Sequence, residues 1–325
     1  MSKVLVTGSS GLVGSATAEL FAEKGYDVIG VDNNQRAAFF NTPNKVTEND
    51  IDITNYQAMW KIFMDNKFDV IVHAAAQPSH DYATDNVMED FYINALGTVV
   101  LLELAREFCP DVTFIYVSTD KVYGENMVRD LEEQNTRWHS DEPFNEDTPL
   151  DYVSRSFFGC SKLSADLYVQ EYGLKLGMNT ACFRPGCITG KNHEGAEQHG
   201  FLAYLAKCIR EDREYKVFGF KGKQVRDQIH AKDLANAFWH FAKDPKKGAV
   251  YNMGGGPDRS ISILEAMDKI GELTGKQARF KMCKKRQGDR QWDVHDVLKF
   301  RIDYPEWDYE YSLDDIIKDV CEKEI

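Results

Sequence analysis

The sequence predicts an α/β fold, a doubly wound parallel sheet covered by helices and followed by a smaller C-terminal domain for substrate. Three observations predict it. Short apolar runs alternate with helix-length patterns through the first half of the chain, a glycine-rich turn follows the first run, and the alternation stops near Arg184. Strands alternating with helices of this length argue for right-handed βαβ units and a sheet buried on both faces.

The elements follow in order. Met1-Ser2-Lys3 leads straight into Val4-Leu5-Val6, too short a run for a signal-peptide core, so Lys3–Thr7 reads as the first strand. Further strands are expected at Asp27–Val31, Val70–His73, Thr113–Ser118 and Thr180–Arg184, each a short apolar run. Helices are expected between them at Gly11–Lys24, Asn55–Asn66, Met88–Phe108 and Phe157–Leu176. Beyond Arg184, Gly, Pro and charge become denser, and shorter helices are expected at Phe201–Glu211 and Ile261–Thr274. We therefore divide the chain into residues 1–184 and 185–325, with 225–250 packing back on the first part because Asp233–Lys243 has a helical apolar pattern. Glu125–Ser154 is a long, polar, Pro-containing insertion, and loops of that length are usually functional or mobile.

Composition excludes several classes. Hydrophobic residues are 43% and charged residues 28% of 325, which are globular values, and the net charge is −13. So acidic a chain is a poor partner for nucleic acid or an anionic membrane surface, and no apolar run approaches the roughly 18 residues of a membrane span. The 7 cysteines are scattered with no Cys-x-x-Cys pair, which points to reduced thiols and a cytoplasmic protein, without a metal site. An anionic ligand must then meet a local basic cluster. Lys276 to Arg290 supplies one, with basic residues at 276, 279, 281, 284, 285, 286 and 290 against the single acid Asp289.

The first strand runs into Gly8-Ser9-Ser10-Gly11-Leu12-Val13-Gly14, which opens a helix. Glycines at this spacing allow a tight turn and let backbone N–H groups approach a pyrophosphate at the helix N-terminus. The second strand ends in Asp32, with Asn33 beside it. An acid there accepts hydrogen bonds from an adenosine ribose and repels a 2′-phosphate, which favours NAD over NADP.

Thr7-Gly8-x-x-Gly11-x-x-Gly14 resembles the extended short-chain dehydrogenase/reductase superfamily, whose dinucleotide domain is of the Rossmann type. The resemblance continues through Asp52-Ile53, His73-Ala74-Ala75-Ala76, Asn94 with Gly97-Thr98, and Ser118-Thr119-Asp120 followed by Val122-Tyr123-Gly124. It ends with Arg184-Pro185-Gly186 and Arg286-x-Gly288-Asp289, so it covers nearly the whole chain in the family's order. It implies NAD held by Gly8, Ser10, Gly11, Leu12, Val13, Asp32, Asn33, Asp52, Ile53, Ala74, Ala75, Ala76, Asn94, Ser118 and Lys162. It also implies a homodimer, because in the superfamily two helices placed like Met88–Phe108 and Phe157–Leu176 form a four-helix interface between subunits.

The C-terminal part carries Val217-Phe218-Gly219 and Gly222-Lys223-Gln224-Val225-Arg226-Asp227. Segments like these hold the base and diphosphate in nucleotide-sugar epimerases and dehydratases, so the resemblance assigns Phe218, Gln224, Arg226 and Arg286 to a nucleotide-diphospho-sugar. Arg226 and Arg286 offer forked donors suited to phosphate oxygens. Ser79, His80, His199 and Gly200 lie in further substrate-side segments. Resembling dehydratases place Asp then Glu after Ser-Thr, whereas this chain has Asp120-Lys121. It is similar instead to the CDP-paratose 2-epimerase branch, in Ala75–Asp81, Ser118–Gly124, Gly186-Cys187-x-Thr189-Gly190, His199-Gly200-Phe201 and Gly222–Asp227, departing at Asp120 where that branch is expected to have Asn. The resemblance implies epimerisation at C2, by hydride taken up and returned by NAD. A 4-epimerase, dehydratase or ketoreductase is the alternative enzyme, and a catalytically inactive NAD-binding protein the alternative outside catalysis.

One residue departs from the superfamily. Its acid/base is a Tyr four residues before a Lys; Lys162 is present, but Phe158 stands at the Tyr position. Phe has no ionisable proton. Either another group carries the proton, or the position is an introduced Tyr→Phe change, or the chain binds NAD without turnover. The candidates for a substitute are Cys187, if Lys162 depresses its pKa; Asp120, if burial raises its pKa; and Thr119, which bridges a hydroxyl without being a base.

Overall fold

The computed structural model describes residues 2–35, 46–125, 130–150, 154–190, 193, 200–286 and 289–322. In chain order the elements are β1 (Lys3–Thr7), α1 (Leu12–Glu23), β2 (Asp27–Asp32), β3 (Thr47–Asp50), α2 (Tyr56–Asp65), β4 (Val70–His73), α3 (His80–Asp85), α4 (Val87–Phe91), α5 (Gly97–Phe108) and β5 (Thr113–Val117). There follow the hairpin β6 (Glu132–Glu133) and β7 (Trp138–His139), then α6 (Phe157–Leu176), β8 (Asn179–Pro185), β9 (Cys187–Thr189), α7 (Phe201–Arg210), β10 (Tyr215–Phe218), β11 (Val225–His230), α8 (Ala231–Lys243) and β12 (Ala249–Met253). The last elements are β13 (Ser260–Ser262), α9 (Ile263–Thr274), β14 (Phe280–Cys283), β15 (Trp292–Asp293), α10 (Leu298–Asp303) and α11 (Leu313–Cys321).

Seven strands form one parallel sheet in the order β12-β8-β5-β4-β1-β2-β3. The chain winds outward in both directions from β1 and β4, so a crevice opens at their C-terminal ends, where a Rossmann-type sheet binds its dinucleotide. Alternating side chains divide the core. Val4 and Val6 point to one face, where Ala18 and Phe21 of α1 meet Leu234, Phe238 and Phe241 of α8. Leu5 points to the other, against Met59 and Phe63 of α2, Leu101 and Leu104 of α5, and Ala165 and Val169 of α6. Phe300, Tyr304 and Trp307, far along the chain, join the first of these cores.

Two strands of the sheet escape an apolar-run reading. β3 is Thr-Glu-Asn-Asp, an edge strand with no buried residue. β12 completes the opposite edge after a long excursion of the chain. The helix expected at Met88–Phe108 is built of three pieces, α4, a wide π-turn at Tyr92–Leu96 and α5.

The second lobe has its own core, where Leu202, Leu205 and Ile209 of α7 meet Met267 and Ile270 of α9 and Ile316 and Ile317 of α11. The described part of the Glu125–Ser154 insertion straps the lobes together. Trp138 N donates to Lys223 O at 2.9 Å and Phe144 N to Val294 O at 3.1 Å. Asn252 N donates to Glu146 Oε1 at 2.6 Å.

Candidate active site

At the C-terminal end of β1 the chain turns at Gly8, whose φ is +71°. A Cβ there would lie 2.6 Å from Ala75 N and 2.8 Å from Ala74 C, so only glycine lets the β1 and β4 loops meet. Gly8 N donates to Val31 O at 2.8 Å, and Gly11, the N-cap of α1, has no side chain to cap the N–H groups that follow. Leu12 and Val13 form the first turn above it. Asp32 is fixed beside this turn, its two oxygens accepting from Ser10 N at 3.0 Å and Asn34 N at 2.9 Å. Asp52 accepts from Asn33 Nδ2 at 2.9 Å and from Thr54 N and Oγ1. Burial opposes its ionisation, but the Thr54 and Asn33 hydrogen bonds outweigh it and hold the carboxyl below its ordinary range. Ile53, 5% exposed, packs beside Gly97, and Ala74, Ala75 and Ala76 are partly exposed in the loop after β4. An unencumbered helix N-terminus, a backbone-fixed carboxylate and small residues opposite fit an adenosine diphosphate.

Two expected cofactor residues face inward instead. Asn94 is presented by the π-turn, and its amide is committed within the protein. Its Oδ1 accepts from Gln77 N at 2.9 Å, and its Nδ2 donates to Gln77 O, Asp90 Oδ1 and Ser161 Oγ. It therefore positions the β4 loop against α6. The Ser118 hydroxyl donates to Asp166 Oδ2 at 2.5 Å. Asp166 in turn holds Arg184 through two bonds, of 3.0 and 2.7 Å, in a pair almost wholly buried. Sequence reading missed this buried pair. Its signal was the spacing, since Asp166 is four residues after Lys162 and shares a face of α6 with it.

Lys162 is 3% exposed; its Nζ donates to Val117 O at 2.7 Å and lies 4.3 Å from the Tyr116 ring centroid. Burial pulls its pKa down to about 7, against the charges of Asp166 and Asp90. Burial, aided by Lys162, also pulls His73 down to about 3. His73 is thus neutral. Thr98 Oγ1 donates to Asn94 O, so it accepts from His73 Nε2, and His73 Nδ1 accepts from Thr7.

The proposed substitutes for tyrosine fare differently. Cys187 opens β9, and burial pushes its thiol up to about 12 despite the Arg226 and Lys121 charges. The expected depression of its pKa is therefore corrected. Desolvation dominates, and the largest favourable charges are those of Arg226 and Lys121. Asp120 is 4% exposed. Burial alone would raise its pKa, but Lys121, Arg290 and His295 outweigh it and hold the carboxyl far below the carboxylate range. The condition for Asp120 as a base is not met. It belongs to a buried network in which Asp120 pairs with Lys121 and Arg290, and Asp293 pairs with Arg290, Lys121 and Arg226. Thr119 caps the following turn, accepting from Lys121 N and donating to Asp120 Oδ1 at 3.2 Å.

The Phe158 ring, near the start of α6, is 7% exposed. The imidazole of His80 packs against it, with ring centroids 4.9 Å apart and planes 60° apart. His80 Nδ1 lies 2.8 Å from the hydroxyl of Ser156, the N-cap of α6, which also accepts from Gly159 N at 3.1 Å. Ser79 caps α3 by accepting from Tyr82 N.

On the second lobe, Arg226 does not present its guanidinium as expected for a diphosphate. It is 13% exposed at the side chain and held by Asp289 at 2.5 Å and Asp293 at 3.3 Å. Two carboxylates neutralise it in place. Arg286 stacks over the Phe218 ring, 3.5 Å from its centroid. Gln224 Nε2 donates to Phe218 O at 3.0 Å. Gly200 has φ +72° and lies so close to His193 that a Cβ would sit 2.3 Å from its Nε2. His199 lies outside the described residues.

A family model described as "NAD dependent epimerase/dehydratase family" matches residues 4–254. The chain is 30% identical over 313 residues to CDP-paratose 2-epimerase of Salmonella typhi, covering 91% of this chain and 92% of that protein. It is 28% identical over 296 residues to UDP-glucose 4-epimerase of Halalkalibacterium halodurans, covering 88% and 84%. The crystal structure of UDP-glucose 4-epimerase with UDP-glucose from Thermotoga maritima matches with TM-score 0.84 at 25% identity, over 99% of this chain and 98% of that one.

Proposed function

The chain belongs to the NAD dependent epimerase/dehydratase family, and on that premise we propose that it inverts C2 of a nucleotide-diphospho-sugar, with CDP-paratose or a closely similar sugar as substrate. The observation that carries this reading is the near full-length similarity to CDP-paratose 2-epimerase. Lys121 supports it from the site. Resembling dehydratases need a second carboxyl group at that position to eliminate water, and here an ammonium is paired with Asp120 and Asp293.

Bound NAD supplies a reversible hydride acceptor. The glycine turn and Asp32 would hold its adenosine diphosphate, and Lys162 would reach its nicotinamide ribose from α6. Thr119 would orient the reacting sugar hydroxyl. Phe218 and Arg286 would take the base. The homodimer belongs to the same proposal. Met88, Phe91, Tyr92 and Leu96 on one helical run, and Leu167, Tyr168 and Leu174 on α6, expose large apolar side chains, which supports association through these helices. A cytoplasmic setting is part of the same proposal and rests on the scattered cysteines.

The test is incubation of purified protein and NAD with CDP-paratose, followed by NMR. The expected product is the C2 epimer. No inversion of that sugar, with inversion of a 4-hydroxyl in UDP-glucose, would replace this reading with the 4-epimerase.

A further inference from the structure

We infer that Lys121 is a sugar-binding residue, its ammonium donating to the oxygen of the hydroxyl that Thr119 orients. The inference deepens the nucleotide-sugar reading above and rests on it.

Geometry carries it. Thr119 and Lys121 follow β5, at the end where an open parallel sheet binds its ligand. They hang from the two oxygens of one carboxylate: Thr119 Oγ1 donates to Asp120 Oδ1 at 3.2 Å, and Lys121 Nζ donates to Asp120 Oδ2 at 2.9 Å. The Thr119 oxygen has two lone pairs, and one accepts from Lys121 N at 3.3 Å. The other is left to accept from a sugar O–H. An ammonium has three N–H groups. In Lys121 one meets Asp120 and a second reaches Asp293 Oδ2 at 3.5 Å, so a third remains for the oxygen of that same O–H. Thr119 and Lys121 thus offer the acceptor and the donor that one hydroxyl needs.

The turn that bears Lys121 is fixed in place. A Cβ on Gly159 would lie 3.0 Å from Lys121 O, so the turn rests on the start of α6, next to Phe158. Phe158 has no hydroxyl to hold the sugar, and Lys121 supplies a donor in its stead. The other cations of the network are committed to the protein. Arg226 Nη1 donates to Val225 O, its Nη2 to Asp289 Oδ1 and Arg290 O, and its Nε lies 3.3 Å from Asp293 Oδ2. The Arg290 side chain is 5% exposed, against 29% for Lys121. Asp120, Asp289 and Asp293 balance the charges of Lys121, Arg226 and Arg290. In so balanced a setting the ammonium suits a neutral sugar oxygen better than a phosphate.

The experiment is calorimetry of full-length, NAD-loaded wild type and Lys121→Met with CDP-paratose and with CDP, which lacks the sugar. Asp120 keeps Arg290 in the variant, and Asp293 keeps Arg290 and Arg226, so the fold is expected to survive. Should methionine unfold the chain, Lys121→Gln takes its place with the same expected result. We expect affinity for CDP-paratose to fall by ~10–100-fold, the worth of a hydrogen bond to a charged group, and affinity for CDP to stay within ~2-fold. Equal losses for both ligands mark a structural role and overturn the inference, and so does no loss for either. UDP-glucose and UDP replace the CDP pair if wild type does not bind CDP-paratose, and binding of neither sugar also overturns it. A wild type that binds such a sugar without inverting it removes the epimerase reading alone, and the same affinities still decide the role of Lys121.

Discussion

The two ends of the cleft are built by different forces. At the dinucleotide end, position is set by backbone: Gly8 against Ala75, and Asp32 gripped by the N–H groups of Ser10 and Asn34. At the end where we propose that the sugar binds, it is set by side-chain charge, with Asp120, Asp289 and Asp293 interlocked with Lys121, Arg226 and Arg290. A backbone site tolerates change in everything except the residues whose size or φ it requires. A charge network couples all its members, because removing one leaves a partner buried and unbalanced.

The sharpest way to break that comparison is Gly8→Val. The added carbons meet the Ala75 backbone, so NAD affinity should fall by ~100-fold or more, about 2.7 kcal/mol, by calorimetry. Undiminished binding would mean that this turn does not hold the cofactor. Arg290→Ala should destabilise the protein by about 3–5 kcal/mol, read as a lower urea midpoint, because Asp120 and Asp293 lose a buried partner. A midpoint close to wild type would show the network to be dispensable.

Lys162→Met probes the junction of the two ends. The folded pKa of Lys162, about 7, lies below its ordinary 10.5, so the fold penalises the ammonium. Below pH 7 folded and unfolded states are both charged and the penalty is complete. As pH rises from 7 towards 10.5 the folded state has already released its proton, and the penalty fades. Lys162→Met should therefore melt several degrees higher than wild type at pH 6, with a shrinking advantage as pH rises, while turnover is lost. An advantage that does not change with pH would contradict the depressed pKa. The smallest effect is expected at Cys187. A thiol pushed up to about 12 accepts no proton at neutral pH, so Cys187→Ala should keep kcat within ~3-fold of wild type, far from a general base's loss.

The same contrast explains what could be read from the sequence. The sheet and the glycine turn depend on local pattern, and five strands stand near their expected places. β3 was missed because an edge strand of Thr-Glu-Asn-Asp carries no apolar signal. Arg226 read as a free cation because its partner Asp289 lies 63 residues away in the chain, and the pairing of Arg290 with Asp120 spans 170 residues. The inward turn of Ser118 towards Asp166 is likewise a contact across 48 residues. The packing of His80 on Phe158 joins the starts of α3 and α6, which no spacing relates.

The central claim is tested most directly with CDP-paratose carrying deuterium at C2. The account predicts a C2-inverted product that retains the label while the enzyme turns over in ordinary water. Loss of that deuterium to solvent during inversion would show proton abstraction at carbon and contradict it.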